Sequence, residues 1–465
     1  MAVVLNQNPT TYNLAYGTNA VTLSNLGIAT KFVLRILDGA TVISDLRQAA
    51  NQNGHAIFDI QNILQSYVNV SKKNIETTEA WTTSAEETFE YTLEYGSQVD
   101  DEAPVMDGAV SGFVAIGGKK VYFDTPWADK SKFQPIVFSD TETLGDCTGI
   151  SQRARALSDW TYYVNGSTIT DGIPFIPASN DRVYIQNVRQ SDNITLSFLQ
   201  SIVPGSPTPD VHVNGVAALR AWFYNKAGTL LGQTAFENIQ PNGGGPNVDI
   251  NDGATLTYPY HVVTAGVGPA NTEISAYMPS GTHHWYIGTP VWTTTECAEL
   301  LTYPNLTEDS AWYLYRYNLI EDNCSDFTPI QVSWLNSLGF RDFFTFQKKN
   351  ERTLNISRNE YLKDPNDYNG SLYQVTIGDR GYTTYSQTIE ESWTANTRFL
   401  YDYEASFLES LFTSADIRVR GGDGEEWYPA QILNTQYVQK TYRKDRLFQY
   451  ELQFKLSHNL KAQRG

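Results

Sequence analysis

The sequence predicts a mainly β protein of several domains, built as immunoglobulin- or fibronectin-like β-sandwiches with a few short helices. Three observations predict it. The chain carries 29 Tyr, 21 Phe and 10 Trp, the aromatic residues that suit a half-buried pleated surface. Its Thr- and Val-rich runs are punctuated by Gly, Asn, Asp and Pro, which is how antiparallel strands and their turns are written. At 465 residues it exceeds a single ordinary core, so two to four domains of roughly 100–200 residues are expected.

The first region, residues 1–130, reads as an N-terminal sandwich. Thr30 to Leu37 alternates as a strand, Asp38-Gly39 is a turn signal, and Ala40 to Ser44 is the hairpin mate. His55 to Ile60 is a strand running into a helix, with Asp59 as a cap and Ile60, Ile63, Leu64 and Tyr67 at helical spacing. Phe89 to Tyr95 is a period-2 strand, and Val110 to Ile116 follows before Gly117-Gly118.

Residues 131–320 read as a middle β domain. Trp160 to Val164 precedes Asn165-Gly166, a strong hairpin signal. Strands are expected at Arg182 to Ile185, Asn193 to Phe198, Leu219 to Tyr224 (with a turn at Asn225 to Gly228) and Trp312 to Tyr317. Residues 321–465 form a C-terminal β-rich domain with one helix at about 402–413. Strands at Ile330 to Asn336 and Asp342 to Phe346 flank Leu338-Gly339. In the helix Asp402 is the expected N-cap, Glu404 sits in the first turn, and Phe407, Leu408, Leu411 and Phe412 form an apolar stripe. Trp427 to Ile432 and Phe448 to Phe454 close the domain.

Formal net charge is −18, which argues against a nucleic-acid binder, because phosphate contact needs clustered Lys and Arg. No run approaches the roughly 20 apolar residues of a membrane helix. The N-terminus lacks a basic, long-apolar signal pattern, so synthesis in the cytoplasm is expected. Cys147, Cys297 and Cys324 are far apart and form no CxxC pair, so no disulfide framework is expected.

Candidate chemistry is sparse. His283, His284, His261 and Cys297 could be imagined as a metal site, but adjacent histidines on a strand point to opposite faces. Asp249, Asn251 and Asp252 before Gly253 resemble the start of a calcium loop without its terminal bidentate Glu. Glu86/Glu87, Asp100/Asp101, Glu390/Glu391 and Glu425/Glu426 are acidic pairs, whereas glycoside hydrolysis needs two carboxyls opposed across a cleft. No GxSxG, HExxH, Walker A or GxGxxG motif is present. The sequence therefore assigns no catalytic, cofactor-binding or metal residue. Trp285 and Trp292, with Tyr286, are candidates for a sugar-stacking platform, against the plainer expectation that such aromatics fill cores. Near the C-terminus Lys440, Arg443, Lys444, Arg446, Lys455, Lys461 and Arg464 outnumber Asp445 and Glu451. Two readings stay open for them: a basic end that complements a neighbouring acidic copy, or a Lys-guarded edge strand.

Three stretches together resemble structural proteins of tailed phages that infect Bacteroidetes, particularly crAss-like podoviruses. They are Asn8-Pro9 with Gly54 to Leu64, then Cys324 to Ile330 with Trp334 to Phe346, then Trp427 to Ile432 with Asp445 to Phe454. The likeness covers both ends and not the middle, and its motifs are packing signatures. It implies a non-enzymatic virion protein, a ring subunit of the tail barrel or portal–tail collar, whose partners are copies of itself and other tail or portal proteins. By that resemblance about twelve copies would close a cyclic ring through heterologous contacts. DNA would pass through the ring without specific binding, which suits an acidic chain. The rival expectations are a receptor-binding tail fibre or head-decoration protein that docks surface glycan, and a carbohydrate-active enzyme.

Overall fold

The computed structural model describes residues 2–119 (except 10, 18, 70–78 and 83–84), 156–158, 163–165, 185–199, 218–240 (except 238), 255–256, 261–288 and 311–320. It further describes 327–362, 366–369, 372–375 and 381–457, except 422–425 and 439–446. The chain is mainly β, with several sheets and three helices among the described residues. It divides into two compact units, Met1–Glu321 with Ser333–Phe344, and Asp322–Val332 with Thr345–Gly465.

In the first unit, two sheets close over one core. The smaller sheet runs in the order Val4–Gln7, Ala20–Ser24, His55–Asp59. The larger runs Tyr12–Leu14, Val105–Ile116, Thr88–Gln98, Lys31–Asp38, Thr41–Gln48. Alternation sets which side chains meet. Val21, Leu23, Ala56 and Phe58 from one sheet join Phe32, Leu34, Ile36, Tyr91, Leu93, Phe113 and Ala115 from the other in one buried cluster. The expected hairpin is present, with Phe32 opposite Gln48 and Gly39 at φ +56° in the turn. Helix α1, Gln61–Tyr67, follows the third strand of the smaller sheet, but its N-cap is Ile60, one residue later than expected. Asp59 still serves the helix start: its Oδ1 accepts from the Gln61 N–H at 3.0 Å, while the Ile60 side chain is spent on the core.

A second group of strands in the same unit orders as Tyr163–Asn165, Ala311–Leu319, His284–Gly288, Ala218–Tyr224, Leu230–Glu237. Ile185–Val188 pairs in parallel with the end of Ala311–Leu319. The Asn165-Gly166 hairpin expectation is corrected in part. Among the described residues the partner of Tyr163–Asn165 is the distant segment 311–313, and Gly166 lies outside them. The Ala218–Tyr224 hairpin forms as expected, with Gly228 at φ +82°. A further sheet joins Thr195–Leu199, Val262–Gly266 and Trp81–Thr82. Helix α2 is Thr272–Tyr277.

The turn at Leu338-Gly339 shows why glycine is required there. Gly339 sits at φ +86°, and a Cβ on it would lie 2.2 Å from the carbonyl carbon of Gly117. A Cβ on Gly118 would lie 2.6 Å from the carbonyl carbon of Leu338. The two backbones touch, and Lys119 N–H donates to Ser337 O at 2.8 Å. Asn336 completes this corner: its Nδ2 donates to Leu157 O at 2.8 Å and its Oδ1 accepts from Leu338 and Phe340 N–H.

The second unit carries five strands of one sheet in the order Ile417–Arg420, Tyr428–Ile432, Glu451–Leu456, Tyr382–Asn396, Asn350–Leu362. Helix α3, Asp402–Thr413, buries Ala405, Phe407, Leu408 and Leu411, as its spacing predicts. The side chains of Asp402 and Glu404 lie outside the described set, and Asp402 already belongs to the helix. The expected single strand at Phe448 to Phe454 is two, Leu447–Phe448 and Glu451–Leu456. The break lets Tyr450 stack on Tyr437 at 5.2 Å and its N–H donate to Thr397 Oγ1 at 2.9 Å.

Candidate assembly surface

The residues that sequence singled out for chemistry are occupied by packing. Trp285 is fully buried, stacked on Tyr317 at 5.3 Å, with its Nε1 donating to Val267 O at 3.2 Å. Tyr286 is buried beside it. A buried indole cannot present its face to a sugar ring, so the Trp285 platform is overturned; Trp292 lies outside the described residues. His283 and His284 touch through their Nδ1 atoms at 3.2 Å, and His284 also stacks on Tyr224 at 5.3 Å. Burial pushes His284 down to about 4, helped by the Arg316 and His283 charges, so the ring is neutral near pH 7. His261 is elsewhere engaged, 3.5 Å from the Glu90 carboxylate and edge-on to Tyr12. Among the described residues no three His, Cys, Asp or Glu side chains are grouped to hold a metal. Cys297 and the Asp249 to Gly253 loop fall outside them.

The acidic pairs separate in the same way. Glu86 and Glu87 form a 3-10 turn, with Glu87 buried. Asp100, at φ +45°, holds a turn in which its N–H donates to Thr30 Oγ1 at 2.9 Å. Glu390 and Glu391 are neighbours on a strand and so point to opposite faces. Glu390 takes Lys455 Nζ at 2.8 Å, and Glu391 takes Arg352. Lys455 is thus the one residue of the basic C-terminal set that is described, and it is ion-paired; the other six lie outside the described residues. A buried ion pair, Arg189 Nε to Asp192 Oδ1 at 3.0 Å, is also structural. Asp192 Oδ2 accepts from the Arg189 N–H, and Asn271 Oδ1 beside it accepts from Ile194 and Gly268 N–H. A charge so enclosed stabilises a loop only because each carboxyl oxygen has a donor.

What the sequence did not single out is a long exposed strand pair of the second unit. Asn350–Leu362 and Tyr382–Asn396 pair antiparallel as a long two-stranded arm, from Asn350 opposite Ala395 to Leu362 opposite Tyr382. A short pair, Asn366–Asn369 with Leu372–Val375, follows in the chain. Only the arm's base is joined to other strands: Ser392–Asn396 pairs with Glu451–Lys455. Beyond it, among the described residues, neither strand has a second neighbour.

A charged clamp holds the base. Arg352 Nε and Nη2 donate to the two Glu391 oxygens at 2.7 and 2.9 Å, and Trp393 Nε1 donates to Glu391 Oε1 at 2.7 Å. The guanidinium lies 5.8 Å over the Trp393 ring. The Arg352 hydrogen bond holds the Glu391 carboxyl below its usual range, with the Trp393 donor adding to it against a burial penalty.

The distal half is different. From Thr353 to Leu362 and Tyr382 to Ile389 the only charged residues are Arg358 and Glu360. Cross-strand partners share a face, so Leu354, Ile356 and Leu362 lie with Ile389 and Tyr382, while Thr353, Asn355, Ser357 and Asn359 lie on the other face. A bulge at Tyr385, the extra residue between Asn359 opposite Ser386 and Glu360 opposite Thr384, sets its ring 6.1 Å from Tyr361. The apolar side chains are uncovered: Leu354 and Ile356 are each 46% exposed, Leu362 64% and Tyr382 75%. A lone hairpin is marginal in water, and an open, apolar edge invites another strand. Sequence signalled this arm only by the alternation Leu354-Asn355-Ile356-Ser357, too few apolar residues to read as a core strand.

No protein-family model matches the chain, and no curated protein matches it. No helix among the described residues is long and apolar enough to cross a membrane.

Proposed function

We propose that this chain is a non-enzymatic structural protein of a phage virion, a ring subunit of the tail barrel or portal–tail collar. It works by joining copies of itself, and other tail or portal proteins, through β-domain contacts around a DNA channel. One observation carries the reading: a long arm whose base is clamped by ions while its distal half is neutral, two-faced and uncovered. Such a surface suits contact with another protein, because an open strand edge is a template for another strand and an uncovered apolar face gains by leaving water. The resemblance to podovirus tail proteins supports the location. The engagement of the acidic pairs and histidines in local structure supports a role without bond-making chemistry. The glycan-binding alternative loses its Trp285 platform to the core.

Electron cryomicroscopy of the purified full chain tests this. Closed rings in class averages are the expected result. A single-chain species at high concentration, together with no incorporation into particles, overturns it.

A further inference from the structure

We infer that the outer arm strand, Asn350–Leu362, pairs edge to edge and antiparallel with the same strand of a second copy, on a two-fold axis through Ile356. The inference rests on the self-assembly reading above and names the contact. The strand ends its sheet, so its outward N–H and C=O groups have no strand partner among the described residues. The register follows from charge. With Ile356 opposite its own copy, Arg352 falls opposite Glu360 and, by symmetry, Glu360 opposite Arg352. Leu354 falls opposite Arg358, whose methylenes can cover it, and Asn355 opposite Ser357.

Neighbouring registers are worse. An axis through Asn355 sets Arg352 against Arg358, a like-charge pair. An axis through Ser357 sets Arg352 against Leu362 and Glu360 against Leu354, with neither charge matched. Only the Ile356 axis, of these three, sets Arg352 opposite Glu360.

Two further facts favour a second copy as the occupant. A chain at −18 repels its own copies wherever acidic surface meets acidic surface. The distal arm, with one Arg and one Glu, carries no net charge and so offers copies a meeting place without net repulsion. Opposite residues across the new edge share a face, so Leu354 and Ile356 of both copies would lie in one stripe, flanked by each Ile389. Such a contact is isologous and joins copies two by two. It is distinct from the heterologous contacts that close a ring.

The self-opposed position gives a direct test on the full-length chain. Ile356 is half-exposed, so I356K and I356E fold as the wild type does, which circular dichroism checks. Either variant alone places like charges against each other at the axis. Light scattering is expected to show a twofold drop in mass for I356K and for I356E at concentrations where the wild type is fully paired. Mixing the two variants is expected to restore the wild-type mass, because Lys then faces Glu. Variants that keep the wild-type mass, or a mixture that stays at the lower mass, overturn the Ile356 pairing while leaving self-assembly standing. A wild type of single-chain mass at every concentration overturns the self-assembly reading and this contact with it.

Discussion

Lys31–Asp38 and Thr88–Gln98 in the first unit and the two arm strands in the second are all long, antiparallel and written with period two. In the first pair the inward residues Phe32, Leu34, Ile36, Tyr91 and Leu93 meet a second sheet and vanish from solvent. In the arm the same alternation puts Leu354 and Ile356 on a face that nothing described covers. Strand pairing alone therefore does not distinguish a covered element from an uncovered one; the difference is whether a second layer packs on it among the described residues. Composition follows that difference. The core strands put large apolar residues at nearly every inward position. The arm puts Arg358 and Glu360 among its apolar residues.

The comparison can be broken at several points. The largest expected effect is in the core: Phe32→Ala should cost about 3–5 kcal/mol in chemical denaturation, because it opens a cavity under two sheets. The equivalent cut in the arm, Ile356→Ala, should change subunit stability by less than about 0.5 kcal/mol while weakening association. Similar losses at both sites would mean the arm is buried within its own subunit. Next comes Gly339→Ala, where a positive φ adds strain of about 1–3 kcal/mol to a collision with the Gly117 backbone. A variant as stable as the wild type would show that this corner is looser than described.

Smaller effects sharpen the contrast through pH. His284 is held neutral by burial, with a folded value of about 4 against an ordinary 6.5. Between those values the unfolded chain binds the extra proton, so stability is full above about 6.5 and lost as the pH falls toward 4. The thermal midpoint should fall over that window, and His284→Phe, which keeps the ring against Tyr224, should flatten the fall. Glu391 titrates in the same sense for another reason, its Arg352 partner. The arm-base contribution is present at neutral pH and lost as acid protonates the carboxyl below its usual range. Hydrogen exchange in the arm base should quicken on acidification beyond the intrinsic rate change in wild type but not in Glu391→Gln. An equal response in both would remove the clamp from the account.

Much of the local structure was legible because its signals are local. Asp38-Gly39, Asn225 to Gly228 and Leu338-Gly339 each mark a turn where the glycine takes positive φ. The stripe Phe407, Leu408, Leu411 marks α3 because spacing and burial coincide. What sequence left unread depends on distant partners. Tyr163–Asn165 pairs with a segment some hundred and fifty residues away (opposite Tyr313, Trp312 and Ala311), which no adjacent turn residue encodes. Trp285 reads the same from sequence whether it faces a sugar or Tyr317, because aromatic residues suit both. The arm escaped because its faces differ by only a few apolar residues, and among the described residues no second layer covers it. In sequence Glu390/Glu391 is simply an acidic pair, and only their opposite faces show that each serves a separate cation.

The central claim is that the arm's distal half makes the contact between copies. Replacing residues 355–390 by an Asn-Gly turn removes that half and keeps Arg352, Glu391 and Trp393 at the base. Sedimentation of this variant beside the wild type, over a rising concentration series, measures the claim directly. The account predicts multimers for the wild type and smaller species for the shortened chain at equal concentration. Identical sedimentation of the two would contradict it.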